Sequence, residues 1–266
     1  MTHATVPGSW PAEPPSRSAA KSRRRTLGYP PNFAVINPAY VDDLSSAQLR
    51  EIAETLRTGG VVLFMSDCAY AVGADPRSAA GIAALDALLD HRGQPIPLSV
   101  ADAALASKVI RFHPVVIRLS GFWPGGLGLH TKPVSRFARR LGRMLHAPGG
   151  PVVRVSQSVI ERQISAEARL PITSAALRDA DGQLITDMAT ALETALRLHE
   201  ERAPWTRTLF IRDLRRRAAR LPGHSTMLSV SNDGRDVVVL RRGSVDVDDL
   251  HKAARSNHGV DWGSAT

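Results

Sequence analysis

From Phe33 onward the chain alternates amphipathic stretches with short apolar runs. Leu49, Ile52, Ala53 and Leu56 recur at helical spacing, and Ser45 with Gln48 has the spacing of a capping box, so a helix is predicted up to the Gly59-Gly60 pair. Val61–Met65 follows as an unbroken apolar run, short and β-branched, which predicts a strand buried on both faces. A second helix is predicted over Ser78–Leu89, with Ile82, Leu85 and Leu89 on one face, and a third near Ala101–Ile110. Strands are predicted at Val115–Leu119 and Val152–Val155, a helix at Ser158–Ala168 and a short strand at Pro171–Ser174. Asp187–Glu201 has the clearest amphipathic pattern, with Met188, Leu192, Ala195, Leu196 and Leu198 apolar. The rest reads as β: Thr208–Ile211, Met227–Val230 and Val237–Leu240, with Asn232-Asp233-Gly234 as hairpin chemistry. The pattern predicts an α/β fold with a largely β finish.

A chain of 266 residues suits one large domain. Residues 1–31 are Pro- and Ser-rich around the basic run Lys21-Ser22-Arg23-Arg24-Arg25, which reads as a disordered leader. No apolar segment follows that run, so it is not a secretory signal. The folded domain is expected over 32–250, with a loose tail over 251–266. Hydrophobic residues at 43% exclude a fully disordered chain. No stretch approaches the roughly 20 apolar residues of a membrane-crossing helix, so no membrane partner is expected. The lone Cys68 excludes an internal disulfide and a multi-cysteine zinc site, and fits a cytoplasmic setting. No metal site stands out, since the histidines lack ligand spacing.

Charge changes the picture. The 34 Lys+Arg against 25 Asp+Glu give +9, which favours polyanions such as nucleotides or RNA. Arg136, Arg139, Arg140 and Arg143 form one cluster at helical spacing, and Arg212–Arg220 forms another. Few aromatics interleave them, so phosphate contact fits better than base stacking, and a solvated helix face fits equally well.

Four segments have the polar and glycine content of ligand loops. Met65–Gly73 ends a buried strand in Ser66, Asp67, Cys68 and Tyr70, where α/β sheets bind ligands. Asp90–Leu98 carries His91 and Arg92, the latter suited to clamp a phosphate or carboxylate. Phe122–Leu129 is glycine-rich and permits close backbone approach, although it is not a Walker loop. Pro171–Ala176 follows the unit headed by Arg154 and holds Thr173 and Ser174; further on, His224-Ser225-Thr226 adds hydroxyls. Each also has a bland reading as a structural turn.

In this order the segments resemble the YrdC family, which includes threonylcarbamoyl-AMP synthases. The family's Gly-Gly-(apolar)-Pro-Thr-Asp-Thr-Val-Tyr-Gly-Leu is similar to Gly59–Val72, its Lys-x-Arg then Pro-Leu to Asp90-His91-Arg92 then Pro97-Leu98. Its Phe-Trp-Pro-Gly-Pro-Leu-Thr resembles Phe122–Gly128, its Arg-Val-Pro resembles Arg154-Val155-Ser156, and its Ser-x-Asn falls on Ser174-Ala175-Ala176. Its Pro-Ser-Thr and Leu-Arg-x-Gly match His224-Ser225-Thr226 and Leu240-Arg241-Arg242-Gly243. The resemblance runs from about Ser45 to Val245.

The resemblance implies a twisted mixed α/β sheet with flanking helices and a basic concave face. It implies condensation of threonine, bicarbonate and ATP to threonylcarbamoyl-AMP and pyrophosphate, a step in tRNA adenosine modification, with ATP and Mg²⁺ as cofactors. It also implies nucleotide and double-stranded RNA or tRNA as partners. By motif, Arg92 and Arg154 take catalytic positions; Arg92, Ser174, Arg154 and Ser225 bind nucleotide; Ser66, Asp67, Tyr70 and Thr226 form the amino-acid pocket.

Of the departures from the motifs, which include Ser66, Cys68, Ala71, Gly126 and Gly128, two bear most on the chemistry. The family lysine is Asp90 here and the family asparagine is Ala176. In this chemistry a carbamate attacks the α-phosphorus of ATP, and cations offset the charge. Near phosphate, at ~4 Å and an effective dielectric of ~20, each charge contributes ~4 kcal/mol, attractive from lysine and repulsive from aspartate. Two expectations follow: a YrdC-like protein that binds nucleotide or RNA with impaired or altered synthase chemistry, or an active synthase in which Lys132 or a leader arginine replaces the missing cation.

Overall fold

The computed structural model describes residues 28–38, 43–89, 96–134, 151–214 and 223–255, with the backbone of 261–264. Phe33–Ile36 forms β1. The Ser45 hydroxyl accepts from the Gln48 amide at 3.3 Å and Gln48 Oε1 accepts from the Ser45 amide at 2.9 Å, closing the expected capping box on α1 (Ser46–Arg57). Gly59, at φ +86°, turns the chain out of the helix. β2 (Val61–Met65), β3 (Tyr70–Gly73) and α2 (Ala79–Leu89) follow. Next come β4 (Leu98–Ser99), α3 (Ala103–Ala106), α4 (Pro114–Leu119) and β5 (Leu127–His130). β6 (Val152–Arg154), α5 (Val159–Ala168), β7 (Ile172–Thr173) and β8 (Ala175–Ala176) form the middle of the chain. α6 (Met188–Arg202), β9 (Thr208–Ile211), β10 (Thr226–Val230), β11 (Asp236–Arg241), α7 (Val247–Ala254) and β12 (Asp261–Ser264) complete it.

The strands form two mixed sheets. One has the order β1-β9-β2-β3-β8 and the other β12-β11-β10-β5-β6-β4-β7. β2 shows why its sequence is apolar throughout. Val61, Leu63 and Met65 face the larger core, which joins both sheets to α2, α4 and α6, while Val62 and Phe64 face a second core under α1 and α5. Alternate residues of a strand point to opposite faces, so burial on both sides removes the polar half of the pattern.

The chain passes from one sheet to the other within three residues. Thr173 ends β7 and Ala175 begins β8, leaving Ser174 at the crossing, where its amide donates to Pro97 O at 2.9 Å. The Thr173 hydroxyl accepts from the Ala74 amide at 2.7 Å and ties the crossing to the end of β3. The crossing is thus pinned by hydrogen bonds on both sides.

Several expectations need correction. Val115–Leu119 is helical, not extended. Pro114 occupies the first turn, where its fixed φ suits a helix and its missing N–H costs nothing, and Val115, Val116 and Leu119 bury one face. Of the helix expected near Ala101–Ile110 only Ala103–Ala106 is α-helical, capped by Asp102. Beyond residue 250 the described residues hold the end of α7 and the strand β12, which pairs with β11 in parallel. The glycine-rich run Phe122–Leu129 leads into β5, where Gly128 lets Val152 and Met227 close over the strand.

Candidate functional site

A cleft of about 1000 Å³ lies between the sheets, lined by Ser66, Cys68, Arg154, Ser174, Ser225 and Arg241 among others. That is the size of a nucleotide-scale pocket. Four of the expected ligand residues, Ser66, Arg154, Ser174 and Ser225, meet there although they come from four separated segments. Ala176 also faces the cleft, on the exposed edge of β8.

Arg154 occupies the floor and is 6% exposed. Its Nη1 donates to Asp67 Oδ2 at 2.8 Å. Its Nη2 donates to Glu161 Oε1 at 2.8 Å, to Ser174 Oγ at 2.8 Å and to the Ser66 hydroxyl. Both terminal nitrogens are therefore engaged within the protein. Ser66 Oγ donates in turn to Glu161 Oε2 at 2.7 Å. Asp67 Oδ1 accepts from Ser156 Oγ at 2.5 Å and from the Ser158 amide at 3.0 Å, so the carboxylate is fixed from two sides.

Local sequence explains the placement. Ser66 and Asp67 follow the last residue of β2, Arg154 ends β6, and Ser158 caps α5, so the loops after two strands meet at one helix start. The Ser158 hydroxyl donates to Met65 O at 2.8 Å and locks those loops together. Glu161 sits in the first turn of α5, on the face that also buries Ile164 and Ser165. A carboxylate there gains from the helix N-terminus as well as from Arg154.

The electrostatics follow from burial and pairing. Burial would push the Glu161 carboxyl up, but the Arg154 guanidinium, together with serine hydroxyls, outweighs it and holds the group below the usual carboxylate range. Burial likewise opposes the Arg154 charge, and Glu161 and Asp67 more than offset it. One guanidinium faces two carboxylates, so with both ionised the floor carries a net charge of −1. Beside it the Cys68 thiol is pushed up to about 11, by burial first and by the Asp67 charge second, so it is protonated at neutral pH.

The other expected residues fall elsewhere. Tyr70 is fully buried in the larger core, stacked on Phe210 with ring centroids 5.3 Å apart, and its hydroxyl accepts from the Asp213 amide at 3.3 Å. Its ring therefore supports β3 rather than facing the cleft. Asp67 lies under the lining, held by Arg154, Ser156 and Ser158. The Thr226 hydroxyl donates to Val245 O at 2.7 Å and accepts from the Val245 amide at 3.1 Å, joining β10 to the segment after β11. Lys132 is exposed and does not line the cleft. Asp90, His91 and Arg92 lie outside the described residues, as do Arg136–Arg143, Arg215–Arg220 and the leader to residue 27.

Sequence reasoning missed Glu161, although a carboxylate on the apolar face of a predicted helix was the available signal. It also assigned no role to Arg178, His224 and Arg241, which line the cleft wall. Among the described residues no group of three or more His, Cys, Asp or Glu side chains has metal-holding geometry. No described helix is long and apolar enough to cross a membrane.

No protein-family model and no curated protein matches the chain. Solved structures do. Two structures of P. abyssi Sua5, one of them complexed with L-threonine, each give a TM-score of 0.65, at 17% and 16% identity, over 86% of this chain. The chain spans 65% and 62% of the length of those two structures, less than two thirds of either. E. coli YciO gives 0.64 at 21% identity, over 82% of this chain and 98% of that one. Full-length HypF in its phosphate- and nucleotide-bound form gives 0.56 at 17% identity, over 74% of this chain and 29% of that one. The chain has the YrdC-like fold, as the motif order implied.

Proposed function

We propose that the cleft binds a nucleotide, ATP with Mg²⁺ in the first instance, and that threonylcarbamoyl-AMP synthase chemistry is impaired or altered in this chain. The observation that carries the reading is the floor of the cleft. Arg154, at the position of a family catalytic arginine, has both terminal nitrogens committed to Asp67, Glu161, Ser66 and Ser174. A carbamate attacking the α-phosphorus of ATP builds negative charge, which a floor of net charge −1 disfavours. Asp90 in place of the family lysine acts in the same direction, and Ala176 has no amide with which to orient a ligand. The Ser174 and Ser225 side chains, the cations of the wall and a cleft of about 1000 Å³ support binding itself.

Double-stranded RNA or tRNA belongs to the same proposal as a second partner, supported by the net charge of +9. The single cysteine is in keeping with a cytoplasmic protein.

The test is pyrophosphate release from ATP with threonine, bicarbonate and Mg²⁺. The native protein is expected to show no threonine-dependent release above the ATP-only control. Recovery in the Asp90→Lys/Ala176→Asn double variant assigns the loss to those positions. Clear threonine-dependent turnover by the native protein overturns the reading and makes it an active synthase.

A further inference from the structure

We propose that Arg178, His224 and Arg241 form a receptor for the phosphate group of a ligand, at which His224 takes up a proton as the anion enters. The inference rests on the cleft being a ligand site and specifies which wall takes the anion.

The three side chains reach one cleft from different parts of the fold. Arg178 stands on the loop after β8, His224 just before β10, and Arg241 ends β11. Two of them are anchored by backbone. Arg241 Nε donates to Ser225 O at 3.0 Å, and Arg178 Nη1 donates to Gly182 O at 2.5 Å. Each guanidinium is thus oriented from one side by a neutral carbonyl, which leaves its charge uncompensated. The contrast with Arg154 decides where an anion goes, because Arg154 is bound to two carboxylates and Arg241 and Arg178 form no ion pair among the described residues.

The charged and titratable groups that line the cleft with His224 come from five places in the fold. Arg178 and Asp179 follow β8, Arg154 ends β6, Cys68 lies between β2 and β3, Arg241 ends β11, and Arg197 and Arg202 belong to α6. Arg197 is paired with Glu201 at 3.1 Å. The cations outnumber Asp179. Burial, then the charges of Arg241 and Arg178, hold the His224 imidazole below its ordinary range, so it is neutral at pH 7. Burial and the Arg154 and Arg178 charges likewise depress Arg241. These are groups that repel one another and are relieved by the same event, the arrival of a negative charge. A dianion between them removes the penalty on protonating His224, and the imidazolium then adds an N–H donor to the anion.

Affinity rises as pH falls from 8 through the bound-state titration of His224, because binding takes up a proton there. It levels off below the free-state titration, where the imidazole is already charged.

The experiment follows the imidazole Cε1–H resonance of His224 by NMR in the full chain, assigned by its absence in His224→Gln. Sulfate is the probe, since it carries two charges and does not titrate between pH 5 and 8, with sodium chloride at matched ionic strength as reference. Saturating sulfate is expected to raise the His224 midpoint by about one pH unit or more over chloride. In Arg178→Met, an exposed loop position, the chloride midpoint rises and the sulfate-induced shift shrinks. A His224 midpoint that sulfate leaves where chloride puts it overturns the proposal. A parallel titration with ATP separates the two readings. If ATP binds and His224 does not move, the receptor is wrong and the nucleotide cleft stands. If sulfate moves His224 and ATP does not bind, the receptor stands and the nucleotide reading falls.

Discussion

At pH 7 the Arg154→Met variant is expected to lose about 3–5 kcal/mol of stability, the cost of breaking a buried ion pair by removing one partner. The loss here leaves two buried carboxylates, Asp67 and Glu161, without their shared cation. Its pH dependence is the more telling part. In the native protein the Glu161 carboxyl is held below its ordinary range, so its contribution is complete above that range and is lost as pH falls through the folded-state value. Between pH 5 and 8 it contributes no slope. In Arg154→Met, burial acts without the guanidinium and pushes Glu161 up. A raised carboxyl in the folded state means that the variant gains stability as pH falls from 8 towards 5. Urea unfolding at several pH values should show the gap between variant and native protein closing on acidification. A gap that is constant over this range contradicts the network as described. Glu161→Gln provides the comparison: it leaves one guanidinium with one carboxylate, so its cost should be smaller, about 1–3 kcal/mol.

Gly243→Ala should disturb the cleft wall from behind. A Cβ at Gly243 would stand 2.2 Å from His224 O, 2.4 Å from Ser225 C and 2.5 Å from Thr226 N, all of them backbone atoms. Backbone cannot rotate aside as a side chain can, so the contact between the segment after β11 and the start of β10 must open. The Ser244 amide then loses its 2.8 Å bond to His224 O, and the pair joining Thr226 to Val245 is strained. The expected cost is about 1–3 kcal/mol or more, by analogy with overpacked cores. Binding at the cleft should weaken at the same time by about tenfold or more, because His224 and Ser225 move. Gly121→Ala is the control, since a Cβ there meets nothing within 4 Å and stability should stay within about 0.5 kcal/mol. Equal stability of the two alanine variants would contradict the role given to Gly243.

How far the sequence could be read depended on where each signal lies. β2 and β9 were legible because an apolar run between polar boundaries has one reading when both faces are buried, as Val62 and Leu63 show. α1 was legible because Ser45 and Gln48 act within one turn. α4 was misread because Val115, Val116 and Ile117 are β-branched, while the deciding signal was the single Pro114 at the first helical position. The site divides in the same way. Ser66, Arg154, Ser174 and Ser225 were legible through motif order. The pairing of Arg154 with Glu161 was not, because it depends on the angle between β6 and α5 rather than on spacing. Tyr70 carried a polar group that suggested a ligand contact, yet Phe210 and the Asp213 amide hold it in the core. His224 and Arg241 meet because β10 pairs with β11, and Arg178 joins them from the other sheet across the cleft, which no local pattern encodes.

The central claim is that the cleft between the sheets holds a nucleotide. Calorimetric titration of the native chain with ATP and Mg²⁺, beside an Ala176→Trp variant, tests it most directly. Ala176 faces the cleft from an exposed edge, so an indole there fills the space without displacing core. Saturable binding by the native protein, weakened by about tenfold or more in Ala176→Trp at an unchanged unfolding midpoint, is the predicted result. Absence of ATP binding to the native protein, or equal binding by both proteins, would contradict the account.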